Sequence, residues 1–431
     1  MTERRNRLTG RWTGAGILLM LLLLLCAPAG AEERHSVLLE MRGGGFAGTD
    51  ERGYRTDLLL AAGTARGPGD GERMDLEALL GLEGFRLEGA ALRFTAEKVN
   101  GDELKYTLVC GKHKAPGQRV LPGRNLWDVT DIIRDWLMNP EEALYLSPAY
   151  IHGPWGMQVK EGSVSLLLTF TSAEKLKPFP LDRVRYNEMF EAGLAMLEEG
   201  NPFLARYDDT ADSLLQASLP LGVPYYYAGG TEDKFLRRFY PSTTTHYYLD
   251  THMYLCGLDC VGFTHLVYEK CGIPRHPSIN TILFRGIGHD ALANNDPARW
   301  PMMLLPGDLV GVEHGTFHIL MYLGTMRTFG WTEHTAGEAL PLLDAPLFIH
   351  CGGDPFYHER YRQYIRDMGY KNTWPPDGGV TVSAAQVTNR EAPHQTDTSW
   401  GKHFGWYTAD GHPLLVFPLD DCTDIAWYSP E

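Results

Sequence analysis

Apolar and polar residues alternate with a period of two through much of the segment 36–173, and Gly-rich turns break this alternation into short pieces. Leu92, Phe94 and Ala96 alternate with polar neighbours, and the same pattern recurs over 163–170. A period of two places successive side chains on opposite faces of a strand. So many short strands predict an antiparallel β-sandwich as the N-terminal domain.

One helix interrupts these predicted strands. Apolar residues recur at helical spacing on one of its faces: Val129, Ile132, Ile133, Trp136 and Leu137. Asp128 or Thr130 is placed to cap its N-terminus. Because Trp136 lies on the apolar face, we expect it in the core and not stacked on a sugar ring.

The N-terminal residues predict a secretory leader. Four arginines precede an uncharged run over 12–31, and Ala29 and Ala31 are small residues suited to the −3 and −1 positions of a cleavage site. We expect a signal peptide over 1–31 and an exported protein, located in the periplasm or cell envelope or secreted. The uncharged run is also just long enough to span a membrane, so a retained anchor is the alternative.

Composition excludes three classes of protein. An apolar share of 44% with 22% charged residues supplies enough apolar surface to fold, unlike a disordered chain. The net charge of −15 would repel a phosphate backbone, so we expect no nucleic-acid partner. Seven cysteines in 431 residues are too few for a disulfide scaffold.

The hydrophobic period changes after a Pro-punctuated linker at 174–182. Apolar residues recur at helical spacing from 186 to 197, and helical and strand patterns alternate after that. This mixture predicts an α+β domain over 183–355. The remainder, 356–431, contains the strand-like segment 414–417, and we expect it to pack on this second domain.

The first segment with candidate catalytic residues is a predicted helix that begins with a cysteine. Asp259 is a suitable N-cap, and Gly272 followed by Pro274 is a suitable end, so the sequence predicts about three turns from Cys260. A thiol in the first turn faces the positive end of the helix dipole, which is expected to lower its pKa and prepare a nucleophile. A cysteine on such a helix is, however, more often a core residue.

Two histidines follow on predicted strands. A turn at 306–308 and the segment 309–324 predict a β-hairpin with His318 in its second strand, and 347–351 predicts another strand carrying His350. A rigidly held imidazole beside a thiol can act as general base and then as acid. His350 would orient His318 as the third member of a triad, although a strand histidine is usually structural.

The order of these segments resembles that of the NlpC-type cell-wall cysteine peptidases, which have a papain-like fold. The family's Asp-Cys-Ser-Gly-Phe, Pro-Gly-Asp-Leu, His-Val-Gly-Ile-Tyr-Leu-Gly and Phe-Ile-His elements are similar to Asp259–Phe263, Pro306–Leu309, His318–Gly324 and Phe348–His350.

An upstream segment, 222–231, resembles the Pro-Tyr-x-Trp-Gly-Gly-Thr element of the same family, whose tyrosine borders the substrate cleft. One additional residue is present here. Counting back from the Gly-Gly pair points to Tyr226 and counting forward from Pro224 points to Tyr225; we prefer Tyr226.

The resemblance implies that Cys260 is the nucleophile, His318 the base and His350 the orienting residue. It further implies that Asp259 helps to hold the free amine of a peptidoglycan stem peptide, beside Tyr226. The reaction would be amide hydrolysis through an acyl-enzyme, without metal or cofactor, as in γ-D-glutamyl-diamino acid endopeptidases. The alternatives are an amidase or acyltransferase of the same fold, or a non-catalytic cell-surface binding protein with a degenerate peptidase domain.

The chain departs from the family pattern at three places. Val261 replaces a serine that recognises the acyl side of the substrate, which puts specificity in doubt more than chemistry. Insertions at 232–258 and 325–346 are expected to border the cleft as a lid, or more simply as solvated loops.

The N-terminal domain resembles the DNRLRE-type β-sandwich domains of secreted bacterial proteins, through 127–137 and 155–160. Such domains are regarded as adhesion or spacer modules. The resemblance therefore assigns this domain no chemistry, and a cell-surface polysaccharide is its candidate partner.

Two other uses of the cysteines remain open. A zinc site could be formed by His314, His318, Cys260 and Cys351, but no Cys-x-x-Cys or His-Glu-x-x-His spacing supports it. Cys256 or Cys271 could instead trap Cys260 as a disulfide in an oxidising compartment.

Overall fold

The computed structural model describes residues 33–49, 52, 54–66, 73–100, 104–149, 156–174, 236–239, 247–249, 252–256, 259–293, 296–313, 317–329, 331–353, 378–386, 402–407, 413–419 and 422–430. The predicted leader, nearly all of the linker and both candidate tyrosines lie outside the described residues. The strands of the described part form three sheets with mainly antiparallel pairing, and a few helices accompany them. The fold is therefore mostly antiparallel β-structure.

The first sheet contains thirteen strands of the N-terminal domain. They are β1 (Glu33–Arg42), β2 (Gly45–Thr49), β3 (Arg55–Thr56), β4 (Leu58–Arg66), β5 (Arg73–Met74), β6 (Arg86–Asn100), β7 (Lys105–Cys110), β8 (His113–Lys114), β9 (Gln118–Arg119), β10 (Gly123–Asp128), β11 (Leu144–Pro148), β12 (Gly156–Val159) and β13 (Ser165–Ser172). Their hydrogen-bonded order is β3-β2-β12-β6-β13-β1-β4-β11-β7-β8, with β10 beside β6, β5 beside β4 and β9 beside β7. The strands predicted from the period of two are confirmed in β6 and β13.

Two helices accompany this sheet, α1 (Leu76–Leu80) and α2 (Thr130–Met138). The second is the predicted helix, and Asp128 accepts a hydrogen bond from the Thr130 backbone N–H at 3.0 Å. Trp136 is buried, as expected, and its Nε1 donates to the Glu142 carbonyl at 2.9 Å. Side chains from strands along the whole sheet meet with α2 in one apolar core, which is compatible with a β-sandwich.

The second sheet is small and lies within the insertion 232–258. It contains β14 (Leu236–Phe239), β15 (Tyr247–Leu249) and β16 (His252–Cys256), in the order β14-β16-β15. A solvated loop was the simpler expectation for this insertion, and for these three stretches it is wrong. Aromatic residues occur in all three strands, and they favour extended backbone.

The third sheet carries the predicted catalytic strands. It contains β17 (Leu309–Glu313), β18 (Phe317–Gly324), β19 (Leu347–Gly353), β20 (Gly378–Gln386), β21 (Lys402–Tyr407), β22 (Pro413–Pro418) and β23 (Asp424–Tyr428), in the order β21-β22-β20-β19-β18-β17-β23. The pairing of β17 with β18 confirms the predicted hairpin. Strands from the C-terminal segment 356–431 flank this hairpin and β19 on both sides.

The helices near the third sheet are α3 (Cys260–Lys270), α4 (Ile279–Arg285) and α5 (His289–Ala293), with 3₁₀ turns at Pro297–Met302, Met326–Phe329 and Gly337–Leu342. Helix α3 begins and ends as predicted. The Asp259 side chain accepts from the Gly262 backbone N–H at 2.6 Å, and Gly272 follows the C-cap with a φ of +67°. Such a left-handed backbone favours glycine. Among the described residues, no helix combines the length and hydrophobicity needed to cross a membrane.

The first and third sheets share a second apolar core. It includes residues of both: Ala91, Leu126 and Leu167 from the first sheet pack with Trp300, Phe348 and Trp427. A buried ion pair joins Arg93 of β6 to Asp308 at 2.9 Å, and Asp344 in the insertion 325–346 pairs with Arg34 of β1 at 2.7 Å. Packing and charge therefore fix the N-terminal sheet against the strands that carry the histidines.

Candidate active site

The candidate site lies where the start of α3 meets β18 and β19. Cys260 is the first residue of α3, His318 is the second residue of β18, and His350 lies in the middle of β19. Two of these three predicted residues are in direct contact, and the third contacts the backbone beside them.

The two histidines form a hydrogen-bonded pair. His318 Nε2 lies 3.0 Å from His350 Nδ1, and the ring planes are nearly perpendicular, at 89°. Both side chains are buried, with 2% of His318 and none of His350 exposed. Because β18 and β19 are neighbouring strands, their pairing fixes both rings, as a positioned general base requires.

Ser383 of β20 completes a chain of three polar side chains. Its Oγ lies 2.8 Å from His350 Nε2, and the residue is fully buried. The sequence analysis missed this residue. A lone polar side chain within the apolar run Val382–Ala385 was the available signal, since a buried hydroxyl nearly always has a partner.

The chain of hydrogen bonds has two possible directions. In one, His350 Nε2–H donates to Ser383, His318 Nε2–H donates to His350 Nδ1, and Nδ1 of His318 keeps its lone pair. In the other, the Ser383 hydroxyl donates and every proton is displaced by one bond, so His318 Nδ1 carries a hydrogen. Only the first direction leaves His318 able to accept a proton from a thiol.

The Cys260 sulfur lies against the backbone of β18. The backbone N–H groups of Ile319, Val261 and Cys260 itself favour its thiolate form by hydrogen bonding. Strand β18 pairs with β19 through Gly324–Leu347, Tyr322–Phe348 and Met321–Ile349, so Ile319 lies beyond this ladder, where its N–H bonds to the thiol. Ile319 follows His318, which places the sulfur about one residue from the imidazole-bearing position.

No hydrogen bond between the Cys260 thiol and the His318 ring is present among the described contacts. The sulfur is engaged by backbone N–H groups, and the Nε2 atom of His318 is engaged by His350. The structure therefore brings the three predicted residues into one neighbourhood and joins two of them, His318 and His350, by a hydrogen bond.

The expectation of a lowered thiol pKa is wrong. Burial of the thiol, followed by the negative charge of Asp259, raises the pKa of Cys260 to about 12, although the residue as a whole is only partly buried. A helix dipole is typically worth about 0.3–1 kcal/mol, which is too little to offset removal of a thiolate from water. Cys260 is a neutral thiol at pH 7, and its activation requires a base.

Burial also keeps both histidines neutral. It lowers the pKa of His350 to about 3. Burial and the proximity of His350 lower the pKa of His318 well below its usual range. An uncharged imidazole is the form that can accept the proton of a thiol.

Gly352 leaves room for the His318 ring. A Cβ atom at this position would lie 3.1 Å from His318 Cε1 and 3.3 Å from His350 Nδ1, closer than such atoms normally approach. The absence of a side chain at 352 therefore determines where the histidine pair lies.

Of the two predicted substrate-binding residues, Asp259 lies within the described part of the structure and Tyr226 does not. Asp259 caps α3 and lies beside the thiol, while the role of holding a substrate amine stays a prediction. Tyr226 lies outside the described residues, so its place at the cleft also stays a prediction.

A second histidine cluster supports α3 from its other end. His276 Nδ1 donates to the Pro277 carbonyl at 2.7 Å, so its Nε2 accepts from the Thr264 hydroxyl, also at 2.7 Å. The His265 ring packs against His276 with centroids 4.1 Å apart and the ring planes tilted by 45°. Burial, followed by the proximity of His265, lowers the pKa of His276 to about 3. This cluster fixes the helix that presents Cys260, and the sequence analysis did not find it.

The described part of the chain contains no set of ligands for the alternative zinc site. Among those residues, no group of three or more His, Cys, Asp or Glu side chains is arranged to hold a metal ion. His314, one of the candidate ligands, lies outside them.

Comparison of the chain with models of known protein families and with curated proteins gives no match.

Proposed function

We propose that the protein is an exported cysteine hydrolase with a papain-like NlpC-type domain, which cleaves amide bonds in peptidoglycan stem peptides. The observation that carries the proposal is the hydrogen-bonded chain from His318 through His350 to Ser383, with a helix-opening thiol beside the His318 backbone. A buried chain that leads away from a cysteine is what the general-base role requires.

The reaction would proceed in two steps. His318 Nδ1 takes the Cys260 proton while the sulfur attacks the amide carbonyl carbon, and the imidazolium then protonates the departing amine as the C–N bond breaks. Water attacks the thioester, His318 accepts its proton, and the acyl product leaves as the sulfur regains a hydrogen. The backbone N–H of Cys260 would stabilise the negative oxygen of both intermediates.

The raised thiol pKa limits how Cys260 can react. Because little thiolate exists at pH 7, proton transfer to His318 must accompany or immediately precede attack. The thiol must also leave the Ile319 N–H and approach His318 Nδ1. We expect substrate binding to bring about this short movement.

The substrate class follows from the resemblance of the motifs. A γ-D-glutamyl to diamino acid bond is the expected target, with Asp259 near the free amine of the stem peptide and Tyr226 at the cleft. An exported protein would meet this polymer, and no cofactor is required. Because Val261 replaces the family's serine, we expect the specificity of this chain for the acyl side of the substrate to differ from that of the family.

Digestion of purified peptidoglycan tests the proposal. Wild type and Cys260→Ala are incubated with the polymer under reducing conditions, and released fragments are identified by mass spectrometry. Cys110→Ala serves as the matched control, because Cys110 is another free thiol, buried in the first sheet. Fragments that need Cys260 but not Cys110 support the hydrolase; no Cys260-dependent fragment would overturn it.

A cell-surface binding protein with a degenerate peptidase domain is the second candidate function. The burial of His318 and the raised pKa of Cys260 favour it, since both oppose turnover in the geometry described. Such a protein would sediment together with peptidoglycan and would release no fragment from it.

A further inference from the structure

The turn that precedes β17 is bonded to both elements of the candidate site. The Gly307 N–H donates to the Tyr322 carbonyl of β18, and the Tyr322 N–H donates to the Asp308 carbonyl, each at 2.8 Å. The Gly307 carbonyl accepts a hydrogen bond from the Tyr268 hydroxyl of α3 at 3.1 Å. This turn therefore joins the helix of the candidate nucleophile to the strand of the candidate base.

The Asp308 side chain fixes this turn from the protein interior. The residue is fully buried, and its Oδ2 accepts a hydrogen bond from the Leu305 N–H at 2.9 Å. Its counter-charge comes from the first sheet, because Arg93 Nη2 of β6 lies 3.1 and 2.9 Å from the two carboxylate oxygens. Arg93 is only 7% exposed, so salt screens this pair little. The conformation of the turn thus depends on a side chain of the N-terminal domain.

Arg93 has a second connection to α3, at the end of β23. Its Nη2 also donates to Ser429 Oγ at 3.3 Å, and Arg124 Nη1 donates to the same oxygen at 2.8 Å. The ring of the preceding residue, Tyr428, packs against His276 with centroids 6.1 Å apart. His276 belongs to the histidine cluster that supports α3. Two sets of contacts therefore lead from one guanidinium to the same helix.

The position of α3 relative to β18 determines the surroundings of the Cys260 thiol. The Ile319 N–H of β18 bonds to the sulfur, and burial is the main cause of the raised pKa of Cys260. A displacement of α3 from β18 would break this bond and admit water to the sulfur. Because a solvated thiol forms thiolate more readily than a buried one, the alkylation rate of Cys260 reports the position of α3.

We propose that Arg93 is a positioning residue of the candidate active site. Through Asp308 and Ser429 it fixes the turn and the strand end that contact α3 and its histidine cluster, and it thereby determines how the Cys260 thiol lies against β18. The N-terminal domain is then a structural part of the site and not only a spacer or adhesion module. That the site is catalytic rests on the proposed function, whereas the position of the thiol can be measured whether or not the protein is a hydrolase.

Alkylation of the full-length protein with iodoacetamide tests this role. The rates at Cys260 and Cys110 are followed in one sample by mass spectrometry, and Cys110, a free thiol buried in the first sheet, reports global unfolding. In Arg93→Met we expect the ratio of the Cys260 rate to the Cys110 rate to rise about fivefold or more, with the pH profile of Cys260 moved to lower pH.

Thr107→Val is the matched control, because Thr107 is another buried polar residue of the first sheet and lies on β7, away from Arg93. It should lower stability without raising the ratio of the two rates. If Arg93→Met raises that ratio no more than Thr107→Val does, the positioning role is overturned.

Tyr268→Phe tests the same connection with the ion pair intact. Arg93→Met leaves the Asp308 carboxylate buried without its counter-charge, which destabilises the fold. Tyr268→Phe keeps the ring and removes only the hydroxyl that bonds to Gly307. We expect a smaller rise in the ratio of the Cys260 rate to the Cys110 rate, about twofold. An unchanged ratio in Tyr268→Phe would overturn the proposal even where Arg93→Met does not fold.

Discussion

His318 Nε2 and His350 Nδ1 lie 3.0 Å apart on neighbouring strands, and this bond links the position beside Cys260 to a buried serine two strands away. A neutral imidazole has one N–H, so the partner of His350 decides which nitrogen of His318 carries hydrogen. The proton-accepting state of the candidate base is thus coupled, through His350, to the direction of a hydrogen bond with Ser383, a residue outside the predicted triad.

Removing the Ser383 hydroxyl should therefore impair catalysis without abolishing binding. In Ser383→Ala, His350 loses the partner of its Nε2, and we expect kcat to fall about tenfold with KM unchanged. Ser383→Thr keeps a hydroxyl and should restore most of the activity. Ser147→Ala, at another buried serine in the first sheet, is the control. A wild-type kcat and pH profile for Ser383→Ala would contradict the positioning role.

A side chain at position 352 should displace the histidine pair. The Cβ atom of Gly352→Ala would press on His318 Cε1, so we expect at least a tenfold loss of activity and a loss of about 1–3 kcal/mol in the free energy of unfolding. Gly311→Ala on β17 is the matched control, because its Cβ would meet neighbours only at ordinary distances, 3.5 Å and beyond. Equal effects of the two substitutions on activity would count against the ring contact.

Stability should fall as the solution becomes acidic. His276, His318 and His350 have lowered pKa values in the folded protein, so the unfolded chain binds protons below a pH of about 6.5 while the folded protein does not. The stabilisation is complete above this pH and is lost as the pH falls toward 3. Each group adds a slope of about 1.4 kcal/mol per pH unit.

Urea unfolding at pH 7, 6 and 5 measures this slope. His276→Asn should be less stable at pH 7 and should show a slope smaller by about one proton. A free energy of unfolding that stays constant between pH 7 and 5 would rule out three buried neutral histidines.

The alkylation rate of Cys260 reports its pKa directly. We expect iodoacetamide to react slowly at pH 7 and at a rate that rises with pH to beyond 9, because burial and Asp259 oppose the thiolate. The measurement follows the Cys260-containing peptide by mass spectrometry. Rapid alkylation with a plateau below pH 7 would instead reveal a preformed thiolate–imidazolium pair.

Local signals predicted the elements that carry the candidate site. Asp259 before Cys260 and Gly272 at the other end determined the bounds of α3, because capping depends on neighbouring residues. The turn at 306–308 and the segment 309–324 likewise predicted the β-hairpin that carries His318 in its second strand.

Contacts between distant parts of the chain could not be predicted in this way. Ser383 reaches His350 only through the register of β19 with β20, and Arg93 meets Asp308 across 215 residues. The prediction of a lowered pKa for the Cys260 thiol was wrong for the same reason. The helix dipole is visible in the sequence of α3, whereas the burial that outweighs it depends on how α3 packs on β18 and β19.

Detection of an acyl-enzyme tests the central claim most directly. Purified stem-peptide fragments are mixed with wild type, the reaction is quenched in acid within a single turnover, and the digested protein is analysed by mass spectrometry. The account predicts an acyl adduct on the peptide that contains Cys260, absent from Cys260→Ala and reduced in His318→Ala. No adduct on Cys260, with or without fragment release, would contradict it.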